Sequence, residues 1–367
     1  MSVYIHQLPN WPIFTWNQEK ISPVLAVVRH RQGRLLGRME ALGFGLKAEA
    51  TLQTLTLDVL KSSEIEGELL NADQVRSSIA RRLGMGIAGL VPADRNVEGV
   101  VEMMLDATQN FTDQLTDERL FSWHAALSPT GRSGMQKIIT GGWRNNATDD
   151  PMQVVSGAMG REKVHYRAPD AGLLADEMGK FLQFFNTVMN IDPVLKAAMA
   201  HLWFVTIHPF DDGNGRIARA IADMQLSRAD GTAQRFYSMS AQIRKERNAY
   251  YDILETTQKA DLNITDWLSW FLNCLDRSLK ATDEILGAVL HKAKFWEHHA
   301  KTVLNKRQVL MINKLLDGFT GKLTTSKWAT ITKSSQDTAL RDIQDLMEKN
   351  ILVKEAGGGR STSYIVL

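Results

Sequence analysis

His208-Pro209-Phe210-Asp211-Asp212-Gly213-Asn214-Gly215-Arg216-Ile217-Ala218-Arg219 is the stretch on which the reading of this chain turns. Its residue types are those that handle a nucleotide phosphate. A histidine takes up a proton near neutral pH. Asp212 offers carboxylate oxygen to Mg2+. Gly213, Asn214 and Gly215 can bend the backbone so that successive N–H groups face an anion. Arg216 and Arg219, three apart on a helix, can fork onto phosphate oxygens from one face.

Both flanks of the loop read as helices. Residues 193–207 place Val194, Leu195, Ala198, Leu202 and Val205 at helical spacing, and residues 216–228 do so with Ile217, Ala220, Ile221, Met224 and Leu226. The glycines therefore open the second helix, whose N-terminus is an anion site. A plain interhelical turn needs glycine or asparagine, but not His, Asp and two Arg at fixed spacing. No GxxxxGK[ST] or GxGxxG follows a strand, so this is neither a Walker loop nor a dinucleotide fingerprint.

The whole string resembles the Fic family signature, HxFx[DE]GNGRxxR, with every fixed position filled. The resemblance implies a mainly α fold, a Fic-type helical bundle with a β-hairpin flap. It also implies transfer of AMP from ATP, with Mg2+, to a Ser, Thr or Tyr hydroxyl of a protein target, the protein itself included. His208 would be the general base and Asp212 the metal carrier. Gly213, Asn214 and Gly215 would cradle the α- and β-phosphates. Arg216 would bind on the β-phosphate side and Arg219 at the γ-phosphate, with Phe210 anchoring the loop in the core. Nucleotidyl transfer is mostly positioning and charge neutralisation, which suits this set.

Ser62-Ser63-Glu64-Ile65-Glu66-Gly67 fits [ST]xxxE[GN], which resembles the inhibitory helix motif of Fic proteins. Ser62 and Glu66 fill the fixed places and Gly67 follows. The implied mechanism is charge competition: Glu66 pairs with Arg219, which then cannot hold the γ-phosphate. Glu64 and Glu68 read as solvated neighbours. The motif precedes the signature, as in the subclass with an N-terminal inhibitory helix.

Residues 151–169 read as a hairpin: Met152, Val154 and Val155, a turn cluster at 156–160, then Val164, His165 and Tyr166. By resemblance this is the flap, to which an extended target segment adds as a strand. His165 reads as a flap surface residue, and Trp143-Arg144 is given no chemistry. Tyr250 and Tyr251 stand where related proteins border the nucleotide base, without preference between them. His124 and His201, among apolar neighbours, read as core histidines.

The 367 residues predict two or three domains, and 44% hydrophobic with 23% charged residues is ordinary globular composition. The lone cysteine, Cys274, permits no intramolecular disulfide and reads as buried. That usage, with no signal-peptide pattern and no apolar stretch of about 20 residues, predicts a cytoplasmic protein away from membranes. Residues 1–92 read as an N-terminal helical region with the inhibitory helix, opened by an aromatic arm at 10–16 that docks on the body. Residues 93–290 read as the Fic catalytic domain.

Residues 303–367 read as three helices and a glycine-tipped hairpin (Gly357, Gly358, Gly359, Arg360), which resembles a winged helix-turn-helix. From 301 onward eleven Lys and Arg stand against six Asp and Glu, a bias compatible with DNA. The middle of the third helix is acidic (Asp342, Asp345), which opposes groove insertion, and such modules also dock protein. The leading expectation is an autoinhibited protein adenylyltransferase. The alternative is an ATP-sensing transcription regulator that binds DNA through the winged helix. Homodimers are common in the family, and the periodicity here does not specify one.

Overall fold

The computed structural model describes residues 3–87, 89–157, 161–319, 321–355 and 362–367. Two compact units are present, residues 1–84 with 91–282 and residues 85–90 with 283–367. The division falls within one long helix.

The first unit is built around two helices on either side of the loop. Helices precede them in the order α1 (Gln18–Glu40), α2 (Phe44–Ile65), α3 (Ala72–Arg82), α4 (Arg95–Gln109), α5 (Asp117–Leu127) and α6 (Leu174–Asn186). The central pair is α7 (Pro193–Ile207) and α8 (Asn214–Asp230), followed by α9 (Met239–Lys245), α10 (Arg247–Gln258) and α11 (Thr265–His298). Helix α7 starts where the Asp192 side chain accepts from the Val194 N–H at 2.8 Å, with Pro193 in the first turn. All its residues from Val194 to Ile207 are buried, which is why its pattern is apolar all round. It stops at His208, which is left-handed (φ 51°, ψ 57°). Helix α8 begins at left-handed Gly213 and packs along α7.

Two short antiparallel pairs sit in this unit: β1 (Arg132–Ser133) with β2 (Gln136–Lys137), and β3 (Gln153–Ser156) with β4 (Lys163–Arg167). The second is the expected flap hairpin, with Val154 opposite Tyr166, Val155 opposite Val164 and a bulge between Val154 and Val155. Residues 158–160 of the expected turn lie outside the described residues. The aromatic arm docks as expected. Trp11 and Phe14 meet the Trp203 ring edge-on, and the Trp11 indole N–H donates to Glu177 at 2.7 Å.

The second unit contains α12 (Lys306–Leu316), α13 (Thr325–Thr332), α14 (Gln336–Glu348) and an antiparallel pair, β5 (Leu352–Lys354) with β6 (Tyr364–Val366). Met311, Ile312, Trp328, Ile343, Leu346 and Ile351 form its core. The two acidic residues in the middle of α14 are not a charged outer face. Asp342 accepts from Arg307 and Asn305, and Asp345 from Gln308 and Lys349. The expected tip, residues 357–360, lies outside the described residues. No helix among the described residues is long and apolar enough to cross a membrane.

Candidate active site

The loop between α7 and α8 is braced from below. Phe210 is fully buried, with its ring stacked on His124 at 4.2 Å and beside Trp143 at 5.0 Å. Asn214 closes the loop on itself, its amide oxygen accepting from the Phe210 N–H and its amide N–H donating to the Phe210 carbonyl. Its side chain is thus a brace, and its backbone belongs to the open first turn of α8. The first N–H groups of a helix have no upstream carbonyl partner.

His208 is half-buried. Its Nδ1 lies 3.2 Å from the Val205 carbonyl, which can only accept, so Nδ1 carries the proton and Nε2 the lone pair. Burial lowers its pKa to about 4; the Val205 carbonyl works against this and the Arg144 charge with it. It is therefore neutral at pH 7, as a base must be.

Asp212 accepts from the Ser133 hydroxyl at 2.7 Å and from the Gly213 N–H at 2.6 Å. Burial pushes its pKa up, but these bonds and the charge of Arg216 hold it below the usual range. It presents an ionised, partly exposed oxygen donor, and such a donor fits Mg2+ that is also held by substrate phosphates. Among the described residues no group of three or more His, Cys, Asp and Glu gathers to hold a metal.

Glu66 lies directly over this loop. Helix α2 ends in a Schellman turn: the Gly67 N–H donates to the Glu64 carbonyl and the Glu68 N–H to the Ser63 carbonyl. Gly67 sits at φ +86°, where a side chain is strained. The turn brings Glu66 and Glu68 to the two arginines. Arg219 is 2.8 Å from the Glu66 carboxylate and also donates to the Ser62 hydroxyl (2.9 Å) and carbonyl (2.8 Å). Burial opposes the charge of Arg219, and the Glu66 carboxylate with Tyr250 and Tyr251 together outweighs it, so its pKa is raised. A Cβ on Gly215 would lie 2.3 Å from the Glu66 carboxylate oxygen. The Glu66 carboxylate thus lies against the start of α8, and a side chain at Gly215 would push it away.

Glu68 corrects the expectation of a solvated neighbour: it pairs with Arg216 at 2.6 Å. Glu64 is not free either, since it pairs with Lys61 at 2.6 Å and lies 3.5 Å from Arg244. Both arginines of the signature are therefore held by carboxylates from one turn. Deeper in α2, Asp58 accepts from the Ser238 hydroxyl and the Ser240 N–H, which ties the helix to α9.

The tyrosine pair separates. Tyr250 is 1% exposed with its hydroxyl on His201 at 2.8 Å, so it has no open ring face. Tyr251 is the more open and reaches Glu66 at 3.3 Å, with Arg247 over its ring. His124 and His201 are buried, as read. His165 is more than a surface residue: it bridges Glu255 (2.5 Å) and Ser156 (2.6 Å), pinning the flap to α10. Ser133 and Arg247 escaped the sequence reading, Glu68 was read as solvated, and Arg144 was given no chemistry. Only Glu68 carried a signal there, its position one residue past the Glu66-Gly67 pair.

The fold and this loop define a protein with a Fic-type helical core. Residues 114–226 match the Fic/DOC family, and residues 4–85 match a domain of unknown function (DUF4172). The chain carries a Fic domain. It is 32% identical over 251 residues to "Protein adenylyltransferase Fic" of Culex quinquefasciatus, covering 66% of this chain and 44% of that one. It is 32% identical over 135 residues to the protein of the same name in Aedes aegypti, covering 35% and 25%. The chain thus spans less than half the length of these curated relatives. Among solved structures, a Fic family protein from Desulfovibrio desulfuricans G20 aligns over 97% of this chain and 98% of its own, with TM-score 0.53 and 18% identity. A Fic domain containing signaling protein from Bacteroides thetaiotaomicron VPI-5482 aligns over 73% and 98%, with TM-score 0.50 and 17% identity. At these identities the likeness speaks for the fold.

Proposed function

We propose that this protein is a protein adenylyltransferase restrained by its own α2, and the observation that carries the reading is the Glu66 carboxylate on Arg219 above Gly215. ATP is the nucleotide substrate, and a Ser, Thr or Tyr hydroxyl of a protein, presented along the flap, is the acceptor. His208 Nε2 takes the hydroxyl proton. The hydroxyl oxygen bonds to the α-phosphorus, the bond to the α,β-bridging oxygen breaks, and pyrophosphate leaves. The first N–H groups of α8 face the α- and β-phosphates, Arg216 binds on the β side and Arg219 at the γ-phosphate. Asp212 would hold Mg2+, which when bound neutralises phosphate charge. Tyr251, the more open of the tyrosine pair, borders the base, and Tyr250 supports the layer beneath it.

While Glu66 holds Arg219, the γ-phosphate has no arginine to meet and two negative groups would compete for one place. Removing Glu66 leaves the buried guanidinium held by Ser62, and the γ-phosphate then supplies the missing counter-charge. The second unit reads as a winged-helix-like module. The exposed face of its α14 sets Arg341 against Asp337 and Glu348, which favours protein docking over DNA.

Intact-mass spectrometry with ATP and Mg2+ tests the reading. Wild type should gain little, Glu66→Gly should gain one or more AMP units, and Glu66→Gly with His208→Ala none. No gain in any sample would overturn the enzymatic reading.

A further inference from the structure

We propose that Arg144 is a positioning residue that sets the aim of His208 and ties it to the root of the flap. The inference rests on His208 being the base, as argued above. Arg144 is 2% exposed. Its Nε donates to the His208 carbonyl at 2.8 Å and its Nη2 to the Pro169 carbonyl at 2.6 Å, with the Ile207 carbonyl at 3.5 Å. Its Nη1 donates to Asn146 at 2.6 Å, and its backbone N–H to the Pro209 carbonyl at 3.0 Å. One residue therefore engages the carbonyls of Ile207, His208 and Pro209 in succession.

Burying a charged group on neutral acceptors is costly. Two physical needs account for it here. The last carbonyls of α7 have no downstream N–H, and a cation at a helix C-terminus is favourable. His208 also adopts a left-handed backbone, which is unfavourable for an L-residue. A forked donor on its own carbonyl holds that conformation, and with it the ring whose Nδ1–H is spent on Val205.

The second half of the fork reaches the flap. Pro169 lies just beyond β4, and Tyr166 of β4 donates its hydroxyl to the Thr206 carbonyl at 2.7 Å. Base and flap are thus fastened to each other through consecutive carbonyls at the end of α7. A hydroxyl on a strand added to the flap would arrive in a register already set relative to Nε2.

The test compares Arg144→Lys and Arg144→Met in the Glu66→Gly protein. ATP affinity is read by calorimetry, self-transfer of AMP by intact mass, and the His208 imidazole by NMR titration, assigned through its loss in His208→Ala. ATP affinity should stay within about twofold, since no phosphate contact is touched, while transfer falls on the order of 100-fold from misplaced geometry. In Arg144→Met the His208 titration should move up, because a cation beside it is gone. Arg144→Lys should restore the titration but not the rate. Wild-type-like transfer and an unchanged titration in folded variants would overturn the proposal. If Arg144→Met fails to fold, the Lys variant decides through its rate and the shape of the His208 signal. If the Glu66→Gly parent transfers no AMP, the enzymatic reading alone falls, and the titrations still decide whether Arg144 governs His208.

Discussion

Glu68 holds Arg216 as Glu66 holds Arg219, so a variant lacking Glu66 alone still has one of the two arginines occupied. The two pairs are placed alike: the arginines are 2% and 9% exposed and their carboxylates 31% and 35%. With about a third of its carboxylate in water, the Glu68 pair contributes about 0.5–1 kcal/mol. Adding Glu68→Ala to Glu66→Gly should tighten ATP binding a further two- to fivefold or so by calorimetry. Equal affinities in the single and double variants would remove Glu68 from the restraint. The signature was legible as a string because its residues are contiguous and fill one spacing pattern. Glu68 and Arg144 were not, because what defines them is a partner: a guanidinium across the site for one, three backbone carbonyls for the other.

At the scale of elements, the restraint we propose sits at the end of α2, whose geometry depends on Gly67 in the left-handed region. Gly67→Ala should cost about 1 kcal/mol there and lower the Tm by about 2–4 °C. It should also raise AMP transfer, because Glu66 and Glu68 lose the turn that presents them. A melt and a mass assay on the same sample check both, and an unchanged Tm would show that the turn tolerates a side chain. Residues 193–207 were readable to the residue because Asp192, Pro193 and the loop mark both ends of α7. The flap was readable from its alternating residues, but its bulge was not, since register is settled by the partner strand. The two-residue strands β1 and β2 offer no pattern to read, yet they deliver Ser133 to Asp212. Helix α11, 34 residues long, was not singled out in the sequence, although its buried positions, Phe271, Leu275, Leu279, Leu286 and Val289 among them, recur at helical spacing.

For the molecule as a whole, three histidines are kept neutral by the fold. Burial lowers His6 to about 4, His201 to about 3 and His208 to about 4, all below the usual 6.5. Between those values and 6.5 the unfolded chain binds protons that the folded chain refuses. Stability contributed by these groups is therefore fully present above about pH 7 and falls as the pH drops toward 4. The urea midpoint should be lower at pH 5 than at pH 7, and equal midpoints would show that the three rings titrate normally. The helical class and the glycine-rich loop were legible at this scale. That the aromatic arm docks was legible too, but its partners were not, since they lie far away in sequence, as Leu262 does from Thr15. The paired carboxylates also change how a nucleotide finds the site. With Arg216 and Arg219 each matched, the mouth offers an approaching polyanion little field beyond the Debye length, about 8 Å at physiological ionic strength. ATP association should then be nearly indifferent to added salt in the wild type and become faster and salt-sensitive once Glu66 and Glu68 are gone, as stopped-flow binding at two ionic strengths would read directly.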